Sequence, residues 1–129
     1  MATLHEHAAR MRLLILEEDR HNIDELRDFF SAQGCECEVA LDLETARRIL
    51  SERVMEIAAV NVQTARISEE DLIRDFRSRV PSLSLVLYNG TGKKSLQRRL
   101  RRLGADSCLS KKSDLESVVR AIARVLESK

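Results

Sequence analysis

The residues best suited to chemistry in this chain stand where its apolar runs stop. Leu13-Leu14-Ile15-Leu16 gives way at once to Glu17, Glu18 and Asp19. Ile57-Ala58-Ala59-Val60 ends on Asn61, with Gln63 shortly after, and a third apolar run over 83–87 ends on Tyr88, Asn89 and Gly90. A short stretch near 107–109, containing Cys108, leads to Lys111. Adjacent carboxylates can ligate a hard cation, favour a helix N-terminus or simply be solvated. A lysine can balance an anion, whereas a carboxamide such as Asn61 carries no charge and is a poor nucleophile. The remaining metal-prone residues are scattered. His5 and His7 stand close to the N-terminus, and Cys35, Cys37 and Cys108 match no zinc spacing. The thiols are expected to be reduced, with Cys108 acting as a small buried hydrophobe.

These residues need a scaffold, and the hydrophobic pattern supplies one. The uninterrupted runs at 13–16, 57–60 and 83–87 suit strands covered on both faces. Between them lie helical stripes. Apolar residues at 23, 26, 29 and 30 stop at Gly34, a C-cap signal. Asp42 is expected to cap a helix to about Ser51, and Ser68 a helix carrying Leu72, Ile73 and Phe76. Leu96, Leu100 and Leu103 mark a helix over about 93–103. Ser113 or Asp114 starts a last one, with Leu115, Val118, Val119, Ile122 and Leu126 inward. Residues 35–40 alternate as a strand, and Pro81 and Gly104 break the chain. Strand and helix thus alternate with short connections, which calls for a parallel sheet with helices on both faces. In such sheets the carboxyl ends of the strands line the site crevice, and the residues above gather there. Residues 1–11 read as a tail and 12–128 as one domain. A length of 129 residues fits one core, and no apolar run is long enough to span a membrane. With no signal peptide pattern, a cytoplasmic location is expected.

Charge is divided along the chain. Residues 1–75 hold 17 acids against 9 Lys/Arg, and residues 76–129 hold 4 acids against 13. The segment 93–102 concentrates six bases: Lys93, Lys94, Arg98, Arg99, Arg101 and Arg102. Like charges at helical i, i+4 spacing repel, so an unbalanced basic helix suggests a binding use beside the plain reading of a solvated face. One tyrosine and three phenylalanines offer little surface for base stacking, so nucleic acid is the lesser option.

With these residues in place, the chain over 12–128 resembles the receiver domain of response regulators. The run Leu103-Gly104-Ala105-Asp106-Ser107-Cys108-Leu109-Ser110-Lys111 is similar to that family's approach to its fifth strand and lysine. The apolar first strand ending in an acidic pair matches as well. The resemblance implies a flavodoxin-like (CheY-like), doubly wound five-stranded sheet of order 2-1-3-4-5. It also implies Mg²⁺ held by two acids and an aspartate that accepts a phosphoryl group, with a lysine and a hydroxyl residue assisting. Carried over, the acids fall on Glu17 and Glu18, each a methylene longer than aspartate. The acceptor falls on Asn61, the hydroxyl on Tyr88, the switch aromatic on Cys108 and the lysine on Lys111. Gln63 would offer only its backbone carbonyl.

The resemblance therefore implies a receiver without the phosphorylation mechanism, not an enzyme, with weak or absent Mg²⁺ binding and no other cofactor. Asn61 is expected to hydrogen-bond Lys111 or Glu18. The expected function is signalling by protein contact, to a partner or a second copy, through the face formed by helix 93–103, the strand near 107–109 and the last helix. An output domain fused beyond residue 129 is a further expectation. The alternatives are a receiver with another acceptor, such as Asp19 or Ser110, and a nucleic-acid contact through helix 93–102. Absence of a Gly-rich phosphate loop after the first strand argues against a flavodoxin-type enzyme.

Overall fold

The structure, a computed structural model, describes residues 11–129. Short apolar segments that cannot face water on either side align as a parallel sheet. Its strands are β1 (Arg12–Leu16), β2 (Glu36–Ala40), β3 (Ile57–Asn61), β4 (Ser84–Gly90) and β5 (Ser107–Ser110), in the order β2-β1-β3-β4-β5. That is the order implied by the sequence resemblance. The helices are α1 (Arg20–Ala32), α2 (Leu43–Glu52), α3 (Glu69–Arg79), α4 (Lys94–Leu103) and α5 (Leu115–Glu127), with a single helical turn, Val62–Ala65, after β3.

Alternation along the central strands sorts the core into two layers. Leu13 and Ile15 join Leu26 and Phe30 of α1 and Val118 and Ile122 of α5 on one face. Leu14 and Leu16 join Ile49 of α2, Phe76 of α3 and Leu100 of α4 on the other. Expected caps are found: Asp42 accepts from Thr45 N at 2.8 Å and Ser68 Oγ from Asp71 N at 3.1 Å. Of the two candidates for the last helix, Asp114 is the cap. All three thiols are free, and burial pushes Cys35 up to about 12 and Cys108 up to about 11.

At the amino-terminal edge of β4, Arg77 of α3 crosslinks three segments. Its guanidinium donates to the carbonyls of Leu83 and Gly104 and pairs with Asp106 at 3.5 Å. Asp106 in turn accepts from Leu85 N at 2.8 Å. Gly104 has φ 124°, and a Cβ there would lie 2.7 Å from Arg77 Nε, so both backbone and space demand glycine.

Leu100 holds α4 to the sheet and has no exposed surface. Leu100→Ala is expected to cost about 2–5 kcal/mol in urea unfolding. A cost below about 1 kcal/mol would mean that α4 is not anchored through this residue.

Candidate functional site

The polar residues at the carboxyl ends of β1, β3 and β4 converge on one buried carboxylate. Glu17 follows the strand alternation of Leu13 and Ile15, and its backbone N–H still bonds Ala40 across to β2 at 3.0 Å. Its side chain is fully buried. A buried charge requires hydrogen bonds on every face, and Glu17 has them. Oε2 accepts from the backbone N–H of Glu18 and of Asp19, each at 2.9 Å. Oε1 accepts from Tyr88 OH at 2.8 Å and from Asn22 Nδ2 at 3.1 Å. Asn61 Nδ2 reaches both oxygens, at 3.0 and 3.2 Å.

Each donor is placed by a local device. Asn61 and Tyr88 are register partners across β3 and β4, which brings both side chains to the end of β1. Asn61 also caps the helical turn, its Oδ1 accepting from Gln63 N at 3.0 Å, while Asn89 Nδ2 donates to the same oxygen at 3.2 Å. Asn89 has φ 60°, a conformation asparagine tolerates well, and its carbonyl accepts from Gln63 Nε2 at 3.3 Å. Asn22 comes from the first turn of α1, which Asp19 caps through Asn22 N at 3.0 Å. Burial, then the neighbouring Glu17 carboxylate, raises the Tyr88 phenol far above its ordinary value, so it stays a hydrogen-bond donor.

To this cluster Glu18, adjacent in sequence, gives only its backbone N–H, and its side chain plays no part. It is exposed and pairs with Arg66 at 3.4 Å. The expected bond from the Asn61 amide to Lys111 or Glu18 is therefore corrected: the carboxamide serves Glu17, because Glu17 alone of the acidic pair points inward. Asn22 and Asn89 belong to this hydrogen-bond network, and the sequence reading gives neither a role: Asn89 stands there only as a polar residue at a strand end. Asn89 carried a signal in its Asn-Gly step, and Asn22 only its position one turn past the acids. Lys111 is exposed and makes no ion pair among the described residues. With Asn22, Asn61, Tyr88, Asn89 and Ser113 it lines a cleft of about 230 Å³.

This donor set bears on a divalent cation. A hard cation needs carboxylate lone pairs pointing at open space, and both oxygens of Glu17 are turned onto N–H and O–H groups. Among the described residues no cluster of three or more His, Cys, Asp or Glu could hold a metal. The residues present fit a carboxylate anchor and do not fit a magnesium site.

Beside the cleft, Glu69 of α3 accepts from Thr91 N at 3.1 Å and holds the β4–α4 loop. Burial raises its carboxyl against the opposing effect of that N–H. Gln97 donates to Thr91 O at 2.9 Å and completes the clasp. Cys108, at the expected switch position, is buried in the layer below α4. On α4 and its cap, Lys93, Lys94, Arg98, Arg101 and Arg102 are exposed and carry no ion pair among the described residues. Arg99 differs, pairing with Glu70 of α3 at 2.8 Å.

Five parallel strands in this order, with polar groups gathered at their carboxyl ends, define a doubly wound α/β domain with its crevice at the switch between β1 and β3. The chain belongs to the response regulator receiver domain family, which it matches over residues 13–123. Its fold is similar to that of the CheY-like receiver domain protein of Methanospirillum hungatei JF-1, at TM-score 0.76 and 16% identity, covering 92% of this chain and 94% of that one. The beryllofluoride-activated NtrC4 receiver domain dimer matches at TM-score 0.77 and 17% identity, covering 91% and 97%. A response regulator of Burkholderia pseudomallei, solved with a phosphorylated aspartic acid, calcium ion and citrate, matches at 0.72 and 17%, covering 92% and 71%. No curated protein matches the sequence. Among the described residues no helix is long and apolar enough to cross a membrane.

The geometry makes the cluster sensitive to single atoms. Tyr88→Phe removes one donor from a buried carboxylate and is expected to cost about 1–3 kcal/mol, read by chemical unfolding. Asn61→Asp removes donors and sets a second carboxylate about 3 Å from Glu17. One of the two then has its folded pKa raised above the unfolded value of about 4. The variant's deficit relative to the parent should thus be small below that pH and grow as pH rises through the raised value. A deficit that does not change between about pH 4 and pH 8 would show that the two carboxylates do not interact.

Proposed function

We propose that this receiver domain signals through protein contacts without accepting a phosphoryl group. The observation that carries the reading is the Glu17 cluster. Phosphoryl transfer to a receiver relies on a nucleophilic carboxylate and on a cation that offsets the phosphate charge. At the end of β3 stands Asn61, which cannot form an acyl phosphate and which serves as donor to Glu17. The carboxylate that would face a cation is saturated by Tyr88, Asn22, Asn61 and backbone N–H groups. Of the alternative acceptors, Asp19 is engaged as the cap of α1. What is left for signalling is the surface. The face of α4, β5 and α5 carries bases on α4 that make no ion pair among the described residues and half-buried apolar side chains at Leu103, Leu109 and Val119, and we assign protein docking to it.

Incubation with acetyl phosphate and Mg²⁺ is expected to leave the intact mass unchanged, and beryllofluoride with Mg²⁺ is expected to leave the amide NMR spectrum in place. A stable phosphoryl adduct, or chemical-shift changes centred on β3, β4 and Lys111, would overturn the reading.

A further inference from the structure

The bases of α4 form a stripe, and its spacing matters. Lys94, Arg98, Arg101 and Arg102 stand at i, i+4, i+7 and i+8, on one exposed side of the helix opposite Leu100. Repulsion among them is not relieved by any ion pair among the described residues, whereas Arg99 and the arginines of α3 all have carboxylate partners. A second stripe on the molecule is complementary. On α1, Glu25, Asp28 and Phe29 stand at i, i+3 and i+4, all exposed, while Asp24 of the same helix is taken by Arg20 and Arg27. Glu25 and Asp28 make no ion pair among the described residues. Phe29 is 38% exposed, and of the large hydrophobic residues described, only it, Leu41 and Val54 face water this openly.

An aromatic ring flanked by carboxylates is a good seat for guanidinium groups. The acids neutralise the charge, and the ring face accepts the planar cation. The two stripes cannot meet within one molecule. α1 packs through Leu26 and Phe30 on the face it shares with α5, and α4 packs through Leu100 on the opposite face. The sheet order also places β2, beside α1, at one edge and β5, beside α4, at the other.

We infer that the α4 stripe of one copy docks on the Glu25–Asp28–Phe29 stripe of a second copy, head to tail. The inference rests on the reading of α4 as a docking surface and supplies its partner. The contact is heterologous, using different surfaces on the two copies, and is therefore distinct from a symmetric pairing of two α4–β5–α5 faces. Being built largely from exposed charges, it is weak and sensitive to salt.

Sedimentation velocity on the whole chain tests this. The parent is expected to self-associate at about 0.01 M ionic strength and about tenfold or more weakly at 0.15 M, where screening acts within about 8 Å. The double variants Arg98→Glu/Arg102→Glu and Glu25→Arg/Asp28→Arg should each be monomeric and fold like the parent, since every changed residue is exposed. Mixed one to one, they should associate again, because the unchanged α4 of the second fits the unchanged α1 of the first, and the reversed pair is complementary as well. A parent that stays monomeric at low salt overturns the inference. So does association lost on reversing α4 but kept on reversing α1, an outcome that leaves α4 as a docking surface facing some other site. Association lost on reversing α1 but kept on reversing α4 overturns the assignment of α4 itself. None of these outcomes touches the phosphoryl measurement, which tests the Glu17 cluster alone.

Discussion

A carboxylate without exposed surface must be satisfied entirely by the protein, and Glu17 draws its donors from four places in the chain. Backbone N–H groups come from its own turn, Asn22 from α1, Asn61 from β3 and Tyr88 from β4. Each bond to a charged acceptor is stronger than a neutral one, and loss of any donor leaves part of a buried charge unmet. The end of the sheet where the crevice opens is therefore fixed as a unit. Asn61 links outward to Gln63 and Asn89, and Glu69 and Gln97 clasp the loop that follows. The positions at which a receiver would be expected to carry out phosphoryl chemistry are occupied by groups that stabilise one arrangement.

This constraint also explains why the surface carries the function we propose. The same topology that converges polar groups at one end of the sheet separates charge across its width. Acid-rich segments that precede residue 76 build β2 and its flanking helices, and base-rich segments after it build β5 and α4. An imbalance visible only as a trend along the sequence becomes, through the order β2-β1-β3-β4-β5, a difference between opposite edges. Potentials of that kind guide association more than they hold complexes together.

The fold was legible because its signals agree at several levels. Two-sided apolar runs, helical stripes and caps such as Asp42 and Ser68 all point to the same alternation, and the receiver-like run ending at Lys111 sets the topology. The helical turn at Val62–Ala65 carried no such signal, since its cap is a side chain also used elsewhere. Within the site, the residues at strand ends were recognisable, but their pairing was not. Glu17 and Glu18 look equivalent in sequence. Only the continuation of the β1 alternation places Glu17 inward beside Tyr88 and leaves Glu18 to Arg66 in solvent. Asn22 escaped notice because one turn of helix, not sequence type, brings it to the carboxylate. Of the basic helix, sequence showed the charges and could not show that Glu70 claims Arg99.

The Arg77 crosslink at the other end of the sheet has an evolutionary corollary. Gly104 is the residue that leaves room for the guanidinium, the guanidinium satisfies the carbonyls of Leu83 and Gly104, and Asp106 ties that charge to β4 through Leu85. A lineage that replaced Gly104 would push Arg77 aside and orphan those carbonyls, while one that lost Arg77 would lift the steric demand on Gly104 and leave only its positive φ. Positions 77, 104 and 106 are thus physically coupled, and the effect of a substitution at one of them depends on which residues stand at the other two.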